Sequence, residues 1–199
     1  MNLILASKSP RRKEILENLG VRFQIMTLDT DESLSETCPQ KYVEELAKRK
    51  GDAVRKKLIE DGSISDDTII LASDTVVVSP DGEIMGKPCD EADARRMLLS
   101  FSGKSHRVIS GIALLSKSTC VTASETTLVF FDEVPSGEID RYVSTPEPYD
   151  KAGAYAIQGY ASLWIDKIDG DYFNVVGLPV KRLSDTLRSS FGVSLSDLS

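Results

Sequence analysis

The chain has 199 residues, 41% hydrophobic and 28% charged, and its 31 acidic residues exceed its 24 basic ones, which gives a net charge of −7. This composition is typical of a globular protein with a substantial core and disfavours an intrinsically disordered chain. The negative charge disfavours non-specific attraction to nucleic acid or to an anionic membrane, so we expect neither as a partner.

Cysteine usage and the apolar runs predict the compartment. Cys38, Cys89 and Cys120 are widely spaced and form no C-x-x-C pair, so we expect neither a zinc site nor a redox motif. The run from Leu3 to Ala6 is too short for a signal-peptide core, and no later run reaches the roughly 18 apolar residues of a membrane span. We therefore expect a cytoplasmic protein.

Apolar periodicity predicts alternating strands and helices in the first third of the chain. The expected elements are a strand over residues 2–6, a helix over 10–19, a strand over 23–27 and a long helix from Pro39 to about Gly62. Inside the long helix, Gly51 costs up to about 1 kcal/mol relative to alanine, which leaves room for a bend or an early break.

The β-branched run from Thr68 to Val78 predicts a central strand, followed by a tight turn and a short partner strand that ends at Pro88. Asp90 is expected to cap a helix that ends at Phe101. The remaining expected elements are strands over 107–115 and 121–131 that form a hairpin, a helix over 136–143, a strand over 162–168 and a final helix over 179–191.

The first candidate site is Ser7-Lys-Ser-Pro-Arg-Arg12, between the first strand and the first helix. Ser9 at the N-cap and Pro10 at the first helical position describe a helix N-terminus, which attracts anions. Arg11 and Arg12 oppose the helix dipole unless an anion lies between them and the backbone. A phosphate site and a plain cap with solvated arginines both account for this spacing.

Two acidic residues are candidate metal ligands. Asp74 interrupts an apolar strand, where a carboxylate is costly to bury unless it is paired or bound to a metal; an edge-strand residue facing water is the alternative. Glu32 ends the acidic stretch Asp29-Thr-Asp-Glu32, which a solvated loop also explains. Mg²⁺ prefers such oxygen ligands and typically takes one or two carboxylates plus substrate phosphate.

Two lysines are candidate phosphate contacts. Lys50 has its stem on the inward stripe of the long helix, where a lysine either reaches out to water or points into a cleft. Lys87 follows Gly86 in a sequence that superficially resembles a P-loop, but only three residues separate the glycines and a proline follows the lysine. A P-loop is therefore rejected, although Lys87 can still reach a phosphate as a point charge.

The only histidine and one glutamine complete the candidates. His106 has no cysteine or serine partner identifiable from spacing, so a structural role is expected. Gln158 lies in a dense loop of charged, small and amide residues that runs from Glu147 to Gly159, and its amide offers a donor and an acceptor to a base. A conformationally demanding loop that needs its glycines explains the same residues.

Together these motifs resemble the Maf family of nucleoside triphosphate pyrophosphatases over nearly the whole chain. The resemblance rests on Ser7-Lys-Ser-Pro-Arg-Arg12, Glu32, Leu46-Ala-Lys-Arg-Lys50, Ala72-Ser-Asp-Thr-Val76, Gly86-Lys-Pro88, Ser102-Gly-Lys-Ser-His106, Asp150-Lys-Ala-Gly-Ala-Tyr155, Ile157-Gln-Gly159 and Val176-Gly-Leu-Pro179, in this order. One of these motifs alone would be weak, but their order makes the match specific.

The resemblance implies an α/β fold: one domain over residues 1–199, made of two α/β lobes around an elongated mixed sheet with a central cleft, similar to inosine triphosphate pyrophosphatase. It also implies hydrolysis of a nucleoside triphosphate to the monophosphate and pyrophosphate, with a divalent cation such as Mg²⁺, Mn²⁺ or Co²⁺, and a homodimer. By this analogy Asp74 is the proton acceptor, and Arg12, Thr75 and Gln158 influence substrate choice.

The family branch that carries Arg-Arg, Asp-Thr and Ile-Gln-Gly favours dTTP and UTP, and this chain matches it at all three places. CTP and modified pyrimidine nucleotides are further candidate substrates. The alternatives are a 7-methyl-GTP pyrophosphatase and a non-enzymatic nucleotide-binding regulator of septum formation. The presence of Asp74 and Glu32 favours an enzyme.

The predicted site therefore combines three sets of residues. The catalytic set is Asp74, Lys50 and Lys87, and the metal ligands are Glu32 and Asp74. The substrate-binding set is Ser7, Ser9, Arg11, Arg12, Thr75, Lys151 and Gln158.

Overall fold

The computed structural model describes residues 1–198. In chain order its elements are β1 (Asn2–Leu5), α1 (Pro10–Asn18), β2 (Phe23–Ile25), α2 (Pro39–Glu60), β3 (Thr68–Val78), β4 (Ile84–Met85), α3 (Glu91–Phe101), β5 (Ser105–Leu115), β6 (Cys120–Phe131), α4 (Ser136–Val143), β7 (Ile165–Asp169), α5 (Tyr172–Val176) and α6 (Val180–Phe191). Short 3₁₀ turns cover Glu147–Asp150, Ala152–Ala154, Tyr160–Trp164 and Leu195–Leu198.

The strands form one seven-stranded mixed sheet in the order β2-β1-β3-β5-β6-β7, with β4 paired to β3. β1 runs parallel to both β2 and β3, whereas β4 is antiparallel to β3 and β7 is antiparallel to β6. The α/β class is thereby confirmed. β3 lies inside the sheet as predicted, and all of its residues are buried except Asp74 and Thr75.

The chain divides into two compact units, each with its own core. The first unit comprises Met1–Asp74, Ser110–Glu125 and the stretch from Gly177 onward. Its core forms where the apolar face of α2 packs on the sheet, because Ala47, Val54 and Leu58 recur at helical spacing. They contact buried residues of β1, β3 and β5, including Ile4, Ile70, Ala113 and Leu115.

The second unit comprises Thr75–Ile109 and Thr126–Val176. Its core joins α3 and α4 to an aromatic group, and it contains Met97, Leu98, Phe101, Phe131, Ile139, Tyr142, Tyr155 and Trp164. Asp90 caps α3 as predicted, because its carboxylate accepts a hydrogen bond of 2.8 Å from the backbone N–H of Asp93. Within residues 1–198 no helix is long and apolar enough to span a membrane.

The bend or early break that was expected at Gly51 does not occur, since α2 runs without a break from Pro39 to Glu60. Gly51 is buried, and a Cβ built on it would overlap Cδ1 of Leu115 on β5. Gly111 of β5 meets the same helix, because its Cβ would lie 2.6 Å from the carbonyl carbon of Val43. Because glycine has no side chain, Gly51 and Gly111 let α2 approach β5 closely.

Two further differences lie between residues 160 and 176. The strand expected to begin at residue 162 begins at Ile165, because residues Tyr160–Trp164 form a 3₁₀ turn that buries Trp164. The helix α5 was not predicted, since its five residues are too few to show an apolar period. The buried side chain of Asn174 in α5 donates to the carbonyl of Val108 at 2.9 Å.

His106 is buried and structural in its setting. Its ring stacks on Phe101 at a centroid distance of 4.1 Å, and its Nε2 lies 2.7 Å from the hydroxyl of Tyr155. Its Nδ1 is buried without a hydrogen-bond partner. Burial lowers the pKa of His106 from 6.5 to about 3, because the charged imidazolium would lose its hydration.

We expect Gly51→Ala to lower the free energy of unfolding by about 1–3 kcal/mol, because overlap with Leu115 outweighs the gain in helix propensity. Gly137→Ala in α4 is the matched control, since a Cβ there meets nothing within 4 Å. It should be neutral or stabilising. Urea unfolding measures both, and equal effects of the two substitutions would contradict the close approach of α2 to β5.

We also expect a pH dependence from His106. Because its pKa is lower in the folded protein than in the unfolded chain, the unfolded chain binds the proton more readily below pH 6.5. The stabilisation is complete above that pH and is lost as the pH falls. Between about pH 7 and 5.5 the wild-type chain should lose about 1 kcal/mol more than His106→Gln. Equal losses in urea unfolding would show that His106 is not buried in the neutral form.

Candidate functional site

Lys50 links the two predicted metal ligands in the first unit. Its Nζ lies 2.6 Å from Oδ1 of Asp74 and 2.9 Å from Oε1 of Glu32. The side chain of Asp74 is 13% exposed and that of Lys50 is 19% exposed, whereas that of Glu32 is 60% exposed. The ammonium thus compensates the half-buried carboxylate, and Asp74 is not an edge-strand residue that faces water.

Helix geometry explains why Lys50 reaches Asp74. Lys50 is three residues after Ala47 and four before Val54, and both of these pack on the sheet. Its stem therefore lies along the inward face of α2, and its ammonium ends at β3, where the run of buried residues stops at Asp74. Of the two alternatives for Lys50, the structure shows the side chain that points inward.

Arg12 belongs to the same group of charges. Its Nε donates to the carbonyl of Gly177 at 2.8 Å, and its Nη1 donates to the hydroxyl of Ser7 at 3.1 Å. Gly177 is held in turn, since the hydroxyl of the fully buried Ser73 donates to the same carbonyl at 3.2 Å. These contacts fix the orientation of the guanidinium.

The charges of Asp74 and Glu32 act on Arg12. Burial lowers the pKa of Arg12, the negative charges of Asp74 and Glu32 raise it, and the neighbouring charge of Arg11 lowers it. An arginine with such a shift stays charged. Arg12, Lys50, Asp74 and Glu32 therefore form one mixed group of charges in the first unit, which we call the Lys50 cluster.

The start of α1 is built differently from the expectation. The helix begins at Pro10 with Ser9 at the N-cap position, but the hydroxyl of Ser9 makes no capping hydrogen bond. Instead, the hydroxyl of the buried Ser7 accepts from the backbone N–H of Ser9 at 3.2 Å. Ser7 thereby connects the loop to Arg12.

The other predicted residues lie in the second unit. Thr75 follows Asp74 on β3, and Lys87 and Gln158 are exposed. Lys151 donates from its Nζ to the carbonyl of Glu147 at 2.7 Å and pairs with Asp150. The loop of Lys151 lies against that of Lys87, because the N–H of Gly153 donates to the carbonyl of Gly86 at 3.0 Å.

Sequence reasoning missed the residue that shapes the turn of Gln158. The carboxylate of Glu147 accepts from the hydroxyl of Tyr142 at 3.0 Å and from the backbone N–H of Tyr160 at 3.1 Å. A Cβ at Gly159 would overlap this carboxylate. The glycine directly after Gln158 was the available signal, since a larger residue there would displace the carboxylate of Glu147.

The donor set suits a metal that arrives with a substrate. Among residues 1–198 there is no group of three or more His, Cys, Asp and Glu side chains that holds a metal by itself. Glu32 and Asp74 supply two carboxylates around one cation, the ammonium of Lys50. Mg²⁺ commonly takes one or two carboxylates and completes its coordination with water and substrate phosphates, so these residues fit such an ion.

Comparison with known proteins places these features in a family. The model of the family described as "Maf-like protein" matches residues 2–190. A dTTP/UTP pyrophosphatase of Caldanaerobacter subterraneus subsp. tengcongensis is 47% identical over 195 residues, which cover 97% of this chain and 91% of the relative. A dTTP/UTP pyrophosphatase of Clostridioides difficile is 45% identical over 198 residues, which cover 98% of each chain.

Among solved structures, the Ham1 protein of Staphylococcus aureus is similar with a TM-score of 0.43 and 14% identity, over 66% of this chain and 72% of that one. The family match and the two close relatives extend over nearly the whole sequence. The chain therefore belongs to the Maf-like protein family.

Proposed function

We propose that this chain hydrolyses dTTP and UTP to the nucleoside monophosphate and pyrophosphate. The observation that carries the proposal is the Lys50 cluster, in which a half-buried aspartate, a glutamate and two fixed cations lie together. The two close relatives are named dTTP/UTP pyrophosphatases, which agrees with this activity.

The cations of the cluster suit a reaction in which pyrophosphate leaves. As the bond between the α-phosphorus and the bridging oxygen breaks, negative charge grows on the departing group. Arg12 and Lys50 are fixed positive groups that offset this charge without having to reorganise. Lys87 and Lys151 are proposed as further phosphate contacts, and Ser7, Ser9 and Arg11 as contacts at the start of α1.

Glu32 and Asp74 are proposed to hold a divalent cation, Mg²⁺, Mn²⁺ or Co²⁺. When bound, the ion supplies Lewis-acid polarisation of the phosphoryl oxygens. Asp74 is a candidate for two roles, ligand and proton acceptor for the attacking water. One carboxylate does not fill both equally well, because coordination lowers its basicity.

Base selection is proposed to depend on Thr75 and Gln158. Gln158 is exposed, so its amide donor and acceptor can meet the edge of a pyrimidine. A site that pairs with the correct base leaves polar groups unpaired with the wrong one, which discriminates strongly. CTP and modified pyrimidine nucleotides are included in the proposed range.

A cytoplasmic location is also proposed. All three cysteines are free thiols in the described chain, which agrees with a reducing compartment. A homodimer stays a prediction.

A triphosphate panel tests the proposed function. With Mg²⁺, Mn²⁺ or Co²⁺ present, dTTP and UTP should yield monophosphate and pyrophosphate, with slower turnover of 7-methyl-GTP. Pyrophosphate and orthophosphate are measured separately by ion chromatography. Orthophosphate as the sole product would exclude cleavage between the α- and β-phosphates, and binding of dTTP without turnover would favour a non-enzymatic regulator.

Asp74→Asn should fold normally, because it keeps the shape of the side chain and Lys50 retains Glu32 as a partner. The turnover of dTTP should fall by about 10²–10⁴-fold, whether the lost function is proton transfer or metal binding. Asp66→Asn is the matched control in the same unit, since its carboxylate is 94% exposed and pairs only at 3.8 Å with Lys117. Unchanged turnover in Asp74→Asn would remove this residue from the mechanism.

A further inference from the structure

Glu32 lies on a segment that is only loosely attached to the core, on which Met26 packs at the start of the segment. Residues 26–37 connect β2 to α2, form neither helix nor strand, and include no buried residue. The ordering of such a segment costs about 1–2 kcal/mol per residue in backbone entropy. The position of the Glu32 carboxylate therefore depends on polar contacts made by its neighbours.

Arg49 of α2 makes such contacts on both sides of Glu32. Its Nη1 donates to the carbonyl of Ser33 at 2.9 Å and to the carbonyl of Asp31 at 3.3 Å. Its Nε donates to the carboxylate of Glu45, one turn earlier on the same helix, at 3.2 Å. Glu45 thus orients the guanidinium, and the guanidinium holds the backbone on either side of Glu32.

Two successive residues of α2 hold Glu32 and its flanking backbone in place. Arg49 holds the backbone that flanks Glu32, and Lys50 pairs with the carboxylate of Glu32 at 2.9 Å. Two other contacts of this segment are weaker anchors. Lys8 pairs with Asp29, but both side chains are largely exposed, and exposed pairs contribute little. The carboxylate of Asp31 bonds only to the nearby Ser33, which shapes the turn without attaching it to the rest of the unit.

We infer that Arg49 is a positioning residue that holds Glu32 in the Lys50 cluster and so sets the affinity of the proposed cation site. The inference deepens the proposed function and rests on it for the metal. The guanidinium geometry is required, because a lysine ammonium does not present the same rigid set of donors to two carbonyls and a carboxylate. Positive charge alone does not replace Arg49.

The first test is amide hydrogen exchange of the full-length, metal-free chain, followed by NMR across residues 29–36 and read at Ser33, whose N–H donates to the carboxylate of Asp31. Arg49→Met and Arg49→Lys should raise the exchange rate of the Ser33 amide about tenfold, since the hydrogen bond that the charged guanidinium makes to the Ser33 carbonyl is lost. Arg55→Met is the matched control. Arg55 lies on the same helix but bonds to Asp52 and to the carbonyl of Thr119, outside the segment.

The second test is binding of Mn²⁺, followed by electron paramagnetic resonance in the presence of a dTTP analogue with a non-hydrolysable α,β bond. Loss of a residue that orients a metal ligand typically weakens binding by about 10–100-fold, and we expect this for both Arg49 variants. In turnover assays the Mn²⁺ concentration for half-maximal rate should rise more than the KM for dTTP. Arg55→Met should match the wild-type chain in all three measurements.

Unchanged exchange of residues 29–36 in Arg49→Met would overturn the positioning role, whatever the activity. Wild-type behaviour of Arg49→Lys would overturn it as well, because charge alone would then suffice. Faster exchange together with unchanged Mn²⁺ binding would overturn the link to the cation site. If the wild-type chain does not hydrolyse dTTP, the proposed function fails, but the exchange comparison still decides whether Arg49 holds the segment.

Discussion

The ion pair between Lys50 and Asp74 is the interaction on which the rest of the candidate site depends. A carboxylate that is 13% exposed inside a strand loses most of its hydration, and an ammonium at 2.6 Å returns part of that energy. The pair requires α2 to lie close to the sheet. Gly51, directly after Lys50, and Gly111 on β5 provide this approach, so the local cost of a glycine in a helix serves the placement of a charge.

The charges of the Lys50 cluster balance one another, and this has a consequence for the ligand. Two acids face two bases in the first unit, while the whole chain is anionic. A triphosphate that approached alone would be attracted by Arg12 and Lys50 but repelled by Asp74 and Glu32. Under the proposed function, a divalent cation that travels with the phosphates would remove this repulsion, and the nucleotide and its metal would then bind as one complex.

Local rules predicted the elements, because caps, β-branched runs and apolar periods act within a few residues. The span of β3, the cap at Asp90 and the last helix all follow from such rules. Contacts between residues far apart in the sequence were harder to predict. The stripe position of Lys50 allowed both an outward and an inward side chain, and only the contact with Asp74, 24 residues later, distinguishes them.

The remaining features were missed because they have no local signature. Gly51 was interpreted as a place where the helix could bend, since the sequence does not show that Leu115 occupies the space that a Cβ would need there. Glu147 looked like one more charge in a loop, although its carboxylate fixes the turn at Gly159. For Arg12 the sequence left open a phosphate partner or a solvated side chain, and it gave no sign that the carboxylates of Asp74 and Glu32 supply negative charge to this arginine.

Three consecutive residues of α2 show how closely stability and the site are coupled. Successive side chains of a helix point about 100° apart, so Arg49, Lys50 and Gly51 face three different neighbours. These neighbours are the backbone around Glu32, the carboxylates of the Lys50 cluster, and the side chain of Leu115. If a side chain at position 51 forced α2 to rotate away from Leu115, Lys50 and Arg49 would turn away from their partners at the same time. The packing of one glycine against β5 thus constrains the geometry of both charged contacts.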